Sequence, residues 1–181
     1  SLVGSEMCIR DRHIIIDYDK AIRRGYKAII QDAVEALESF DCNDPDFIQK
    51  TQFCKAIITV LSAAINFAKR YSDKAKEMAA VETNPTRKAE LLQIAANCEK
   101  VPANGATNFY EACQSFIITQ MILQVESSGH SESPGRFDQY MYPYLEKDLA
   151  SGAITKDFAQ ELLDCCLLYT SDAADDRISV D

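Results

Sequence analysis

The chain has 181 residues, 47% of them hydrophobic and 26% charged, a balance that fits one globular domain with a sizeable core. Its formal net charge of -9 repels phosphate backbones, so no nucleic-acid partner is expected. No window reads as the roughly 20 apolar residues of a membrane span, and the N-terminus lacks the charged start and apolar core of a signal peptide, so no membrane partner is expected either. Along the chain, helices follow one another with short breaks. Asp17 is placed to cap a first helix reaching Ser39, with Ile22, Tyr26, Ile29, Ile30, Ala33 and Leu37 at helical spacing. Asp44-Pro45 signals a second start, and the segment after it keeps an apolar stripe through Phe53, Ile57, Val60, Ala64, Phe67, Ala68, Tyr71, Ala75 and Met78. Asn84-Pro85 repeats the signal for a helix carrying Leu91, Leu92, Ile94 and Ala95, and Pro102 with Asn104-Gly105 breaks it.

Asn108 and Glu111 have capping-box spacing. The helix after them, to about Ser127, is apolar nearly all round (Phe116, Ile117, Ile118, Met121, Ile122, Leu123, Val125). Such a helix is normally buried on every side, which points to a larger parent supplying cover. A glycine-bearing loop from Ser128 to Gly135 precedes helices near 139–150 and 155–165, separated by Ser151-Gly152. No convincing strand alternation is present, so the fold class is mainly α.

The cysteines (Cys8, Cys42, Cys54, Cys98, Cys113, Cys165 and Cys166) form no CxxC pair, so no metal site is expected. Reduced cysteines among apolar helical residues act as small hydrophobes and fit a cytoplasmic location. Cys165 reads as core. The first twelve residues, SLVGSEMCIRDR, and the polar tail resemble translated sequencing-adapter read-through. Residues 1–12 and 166–181 are therefore expected to be non-native, leaving 13–165 as a partial domain.

The densest polar cluster runs from Glu126 to Tyr140. It sets hydroxyls, an imidazole, a guanidinium and carboxylates on a loop leaving an apolar helix, where binding groups concentrate. The chain's two histidines are His13 and His130; an imidazole there can donate to a hydroxyl or take its proton near neutral pH. A backbone-satisfied loop histidine is the competing interpretation of the residues alone. No phosphate loop and no serine nucleophile elbow is present, and Phe137, Tyr140, Tyr142 and Tyr144 read as packing residues.

The string GHSESPGRFDQYMYPYLEKD resembles a segment of the glycyl-radical enzymes, the family of pyruvate formate-lyase and the glycyl-radical diol dehydratases. Val101-Pro102 with Asn108-Phe109-Tyr110-Glu111-Ala112 and Gln114 is similar to the family's VP…TF-x-EA-x-Q pattern. Arg87 to Leu91 is similar to its R-x-x-EL helix, and His13 to Tyr18 to its H-x-x-x-DY opening. The resemblance covers nearly all of 13–165.

It implies a helical N-terminal-half fragment of an α/β barrel whose catalytic cysteine loop and radical glycine loop lie C-terminal to this chain, leaving no catalytic residue within it. It implies no bound cofactor, but an organic glycyl radical in the parent, installed by a separate radical-SAM activating enzyme. A cysteine thiyl radical would then take hydrogen from a small polar substrate, a diol being the best match. In the glycerol dehydratase branch the matching positions that contact substrate hydroxyls fall on His13, His130 and Ser131, with Arg136 and Asp138 bracing the loop as an ion pair. The full-length parent would be a cytoplasmic homodimer. A formate acetyltransferase is the alternative enzyme, and a non-catalytic helical interaction module the alternative of another class.

Overall fold

The hydrophobic period from Asp17 to Ser39 hides a break at Gly25, which divides it into α1 (Tyr18–Arg24) and α2 (Tyr26–Ser39). The computed structural model describes residues 14–127 and 132–171. The chain divides into one unit of residues 20–106 and another of 1–19 with 107–181.

In the first of these units Gly25 has φ +75°, and a Cβ there would sit 2.3 Å from the carbonyl carbon of Asn104. A Cβ on Gly105 would sit 2.2 Å from the carbonyl oxygen of Arg23. Two side chains are therefore missing where two backbones meet. The approach lets the first amides of α2, unpaired within their own helix, find acceptors: Tyr26 N donates to Pro102 O (2.8 Å) and Lys27 N to Ala103 O (3.0 Å). The Val101–Pro102 peptide is cis.

Helix α3 (Phe47–Val81) begins later than Asp44-Pro45 suggests. Asp44 instead makes a turn, one carboxylate oxygen accepting from Asp46 N at 2.8 Å and the other meeting Lys50 at 2.5 Å. Helix α4 (Pro85–Lys100) starts where expected, with Asn84 Oδ1 accepting from Thr86 N (2.9 Å) and Arg87 N (3.3 Å). On α3, Ala64, Ala68, Ser72, Ala75 and Ala79 form a buried stripe of small residues. Ser72 Oγ donates to the Ala95 carbonyl of α4 at 2.8 Å, a contact only two closely set helices can make.

By length and composition α3 is apolar enough to cross a membrane, which corrects the expectation that no window comes near that threshold. Its C-terminal half nevertheless carries Lys69, Arg70, Asp73, Lys74, Lys76 and Glu77, charges costly at bilayer depth.

The other unit holds β1 (Ile14–Ile15), α5 (Phe109–Ser127), β2 (Glu132–Ser133), α6 (Phe137–Ser151) and α7 (Lys156–Ser171). Helix α5 packs against both α6 and α7. Its start is tied down from two directions. Asn108 Oδ1 accepts from Glu111 N at 2.8 Å, while Glu111 reaches past Asn108 to Thr107, accepting from its N at 2.8 Å and its Oγ1 at 2.9 Å. Asp148 of α6, itself buried, accepts from Phe109 N at 2.7 Å. The first two-thirds of α5 is enclosed (Phe109, Ala112, Cys113, Ser115, Phe116, Ile118), whereas Val125 is 81% exposed, so the expected burial on every side holds only for that part.

Helix α7 runs on past Cys165, and its phase corrects one expectation: Cys165 is exposed, and Cys166 is the buried member of the pair. Its thiol shares a hydrogen bond with buried Cys113. That bond, followed by burial, pushes the Cys113 pKa up, while the same bond lowers that of Cys166. The mainly helical class expected from the sequence is observed.

Candidate functional site

The short strands, invisible as alternation in the sequence, organise the polar segment. β1 and β2 pair in parallel with Ile14 opposite Glu132 and Ile15 opposite Ser133. The first strand opens at the residue after His13, the second at the residue after Ser131. His13, His130 and Ser131 themselves lie outside the described residues.

A cluster of rings from three helices is linked to the end of β2. Tyr18 packs on Phe116 (centroids 4.9 Å apart) and stacks on Tyr140 (5.9 Å). Phe137 meets Phe116 edge-on at 5.0 Å and Tyr140 at 5.6 Å. Tyr18 and Phe116 are almost wholly buried. The Tyr18 hydroxyl donates to Gln120 Oε1 of α5, and the Tyr140 hydroxyl donates to the Pro134 carbonyl at 2.8 Å. Burial, followed by the neighbouring Tyr18, pushes the Tyr140 pKa well up, so its phenol stays a donor at ordinary pH. Phe137 and Tyr140 are thus packing residues, as their sequence pattern implies. Tyr142 is 55% exposed and bonds Glu146 on its own helix.

The turn from β2 into α6 is fixed from both sides. Gly135 N donates to Ser133 Oγ at 3.1 Å. Gly135 has φ +66°, and a Cβ there would lie 2.9 Å from Cγ2 of Ile15, so the absent side chain is what lets the turn sit on β1. Arg136 and Asp138, expected to brace the loop as a pair, form no ion pair with each other among the described residues. With its amide oxygen turned toward the guanidinium, Gln139 accepts from Arg136 Nε (3.2 Å) and Nη2 (3.1 Å). Arg136 stands one residue before α6, with φ -85° and ψ 65°, and its side chain reaches forward to Gln139 instead of Asp138.

Sequence reading missed Gln120 and Asp148. Both are polar residues buried in apolar company, and only the packing of other elements over them reveals their partners. Among the described residues, no group of three or more His, Cys, Asp and Glu could hold a metal ion. A depression of about 450 Å³ along α3, lined by Phe67, Arg70, Tyr71, Asp73, Lys74 and Glu77, belongs to the other unit.

The "Pyruvate formate lyase-like" family model matches residues 4–177. The isethionate sulfite-lyase of Nitratidesulfovibrio vulgaris is 45% identical over 151 residues, which are 82% of this chain and 18% of that protein. Among solved structures, the glycerol-bound form of the B12-independent glycerol dehydratase from Clostridium butyricum matches with a TM-score of 0.81 and 49% identity, over 86% of this chain and 20% of that one. A structure concerning 1,2-propanediol dehydration in Roseburia inulinivorans matches with a TM-score of 0.83 and 45% identity, over 86% and 18%. The chain therefore spans about a fifth of the length of these relatives.

Proposed function

We propose a function from one premise: this chain belongs to the pyruvate formate-lyase-like family of glycyl-radical enzymes. On this reading it is the substrate-holding part of a dehydratase or lyase acting on a small polar molecule, with a vicinal diol the best match. The observation that carries it is the β1–β2 pairing, which joins in register the two stretches of sequence that begin just after His13 and just after Ser131. Imidazole and hydroxyl groups suit neighbouring hydroxyls of a polyol, because each can both donate and accept.

The glycyl radical, held on sequence beyond this chain and installed by a separate activating enzyme, supplies the hydrogen-abstracting chemistry. The work assigned to this chain is binding and proton handling. His13, His130 and Ser131 orient the two hydroxyls, and one imidazole donates the proton with which a hydroxyl departs as water. The balance is diol to aldehyde plus water. The proton given to the leaving hydroxyl is regained when the remaining hydroxyl becomes the carbonyl. Arg136, through Gln139, and Asp138 support the loop. The likeness to diol and glycerol dehydratases at 45–49% identity favours this reading over a formate acetyltransferase. The likeness to isethionate sulfite-lyase favours as second reading a cleavage in which sulfite leaves in place of water.

The test is to activate the full-length enzyme anaerobically and assay glycerol, 1,2-propanediol, isethionate and pyruvate. Aldehyde formation from a diol, reduced about 100-fold or more in His130→Ala, is the expected result. Turnover of pyruvate with coenzyme A alone would overturn the reading, and sulfite release would select the second.

A further inference from the structure

Building on that reading, we infer that Tyr140 is a positioning residue for substrate recognition, acting through Pro134 and Gly135 on the β1–β2 pair. Three features converge on this residue. Its ring is fixed between Tyr18 and Phe137, and Tyr18 is anchored in turn to Gln120 of α5. Its hydroxyl reaches out of that cluster to the Pro134 carbonyl at 2.8 Å, one residue past the end of β2. The next residue, Gly135, is pinned by its amide to Ser133 Oγ at 3.1 Å and lies against Ile15. A rigid aromatic base is thus linked by one hydrogen bond to the turn that sets where β2 lies on β1.

Ring packing needs only a phenylalanine; the hydroxyl is what contacts the turn. A strand pair of two residues on each side has little ladder of its own to hold its register, so an external tether has a large share in fixing it. Small displacements of binding groups cost affinity and rate disproportionately. Tyr140 therefore sets how accurately the residues just before the two strands meet a substrate, without touching it.

The conservative variant Tyr140→Phe in the activated full-length enzyme tests this, since it keeps the ring and removes the bond. The expected result is an unchanged glycyl-radical signal by electron paramagnetic resonance, a KM for the diol raised about fivefold and a kcat within about twofold of the parent enzyme. Amide hydrogen exchange at 14, 15, 132, 133 and 135 should quicken about fivefold, the same fold-change as in KM, with α3 and α4 unaffected. Tyr140→Leu, which also removes the ring, should exceed both effects. Unchanged exchange in Tyr140→Phe would overturn the proposal. So would faster exchange with an unchanged KM, since Tyr140 would then be structural only. If the parent enzyme turns over no diol, the proposed function fails by itself, and the exchange measurement still decides whether Tyr140 sets the register.

Discussion

The two units solve the same problem, bringing helices together, in opposite ways. In residues 20–106 the buried stripe of α3 is built from small side chains, Ala64, Ala68, Ser72, Ala75 and Ala79, with Ser72 meeting α4 at Ala95, and two glycines let backbone meet backbone at 25 and 105. In the other unit the helices are held apart by rings from Tyr18, Phe116, Phe137 and Tyr140. Small-residue seams gain dispersion and backbone proximity and have no spare volume. Ring clusters bury large areas and offer polar tips that can reach a neighbouring loop. The polar tip of Tyr140 reaches the Pro134 carbonyl beside the polar segment, whereas the Ser72 hydroxyl is spent on the Ala95 carbonyl between two helices.

The contrast can be broken in order of expected size, with local stability read by native-state hydrogen exchange in the full-length polypeptide. Phe116→Ala removes the most enclosed ring and should cost about 3–5 kcal/mol in α5 and α6; a loss under about 1 kcal/mol would mean the ring cluster is not the core of its unit. Ala68→Leu adds volume to a seam that has none and should cost about 1–3 kcal/mol, confined to α3 and α4. A neutral result would show the seam to be loosely packed. Asn84→Ala removes the cap of α4 and should cost about 1 kcal/mol, opening the first turn of that helix before its centre; unaltered exchange at Thr86 and Arg87 would contradict the capping geometry.

The smallest effect is a pH dependence. The bond from Arg24 (2.6 and 2.8 Å) holds the Asp32 carboxyl below the usual aspartate range, and the ion pair follows as second favourable cause. A folded-state pKa below the unfolded one gives stability that is complete above the unfolded pKa and is lost as pH falls through the folded pKa. For an exposed pair the amount is slight and shrinks with salt. Carbon-detected titration of Asp32 should show the lowered midpoint, and it should rise toward the ordinary value in Arg24→Gln.

Some of this was legible at once. The period of α3, the Asn84-Pro85 start of α4 and the Ser151-Gly152 stop of α6, where Gly152 takes φ +72°, all follow from local chemistry that each helix carries in its own residues. The family resemblance rested on long ordered strings and was borne out by the family match. The break at Gly25, the late start of α3 and the exchange of Cys165 for Cys166 in the core were not legible. The first and third depend on what packs from elsewhere, the backbone at Asn104 and the α5 cysteine at 113; the second is a local competition, in which Asp44 caps a turn and takes Lys50 of α3 itself.

The sequence by itself determined that the chain is helical, where most helices begin and end, and which polar string departs from the hydrophobic pattern, because hydrophobic period and capping are written within a few residues. Only tertiary structure decided that Ile14 lies beside Glu132, that Tyr18 packs on Phe116 and that Asp148 holds the amide of Phe109. Those contacts join positions whose partnership is set by the twist and packing of whole elements, information that no local stretch of residues contains.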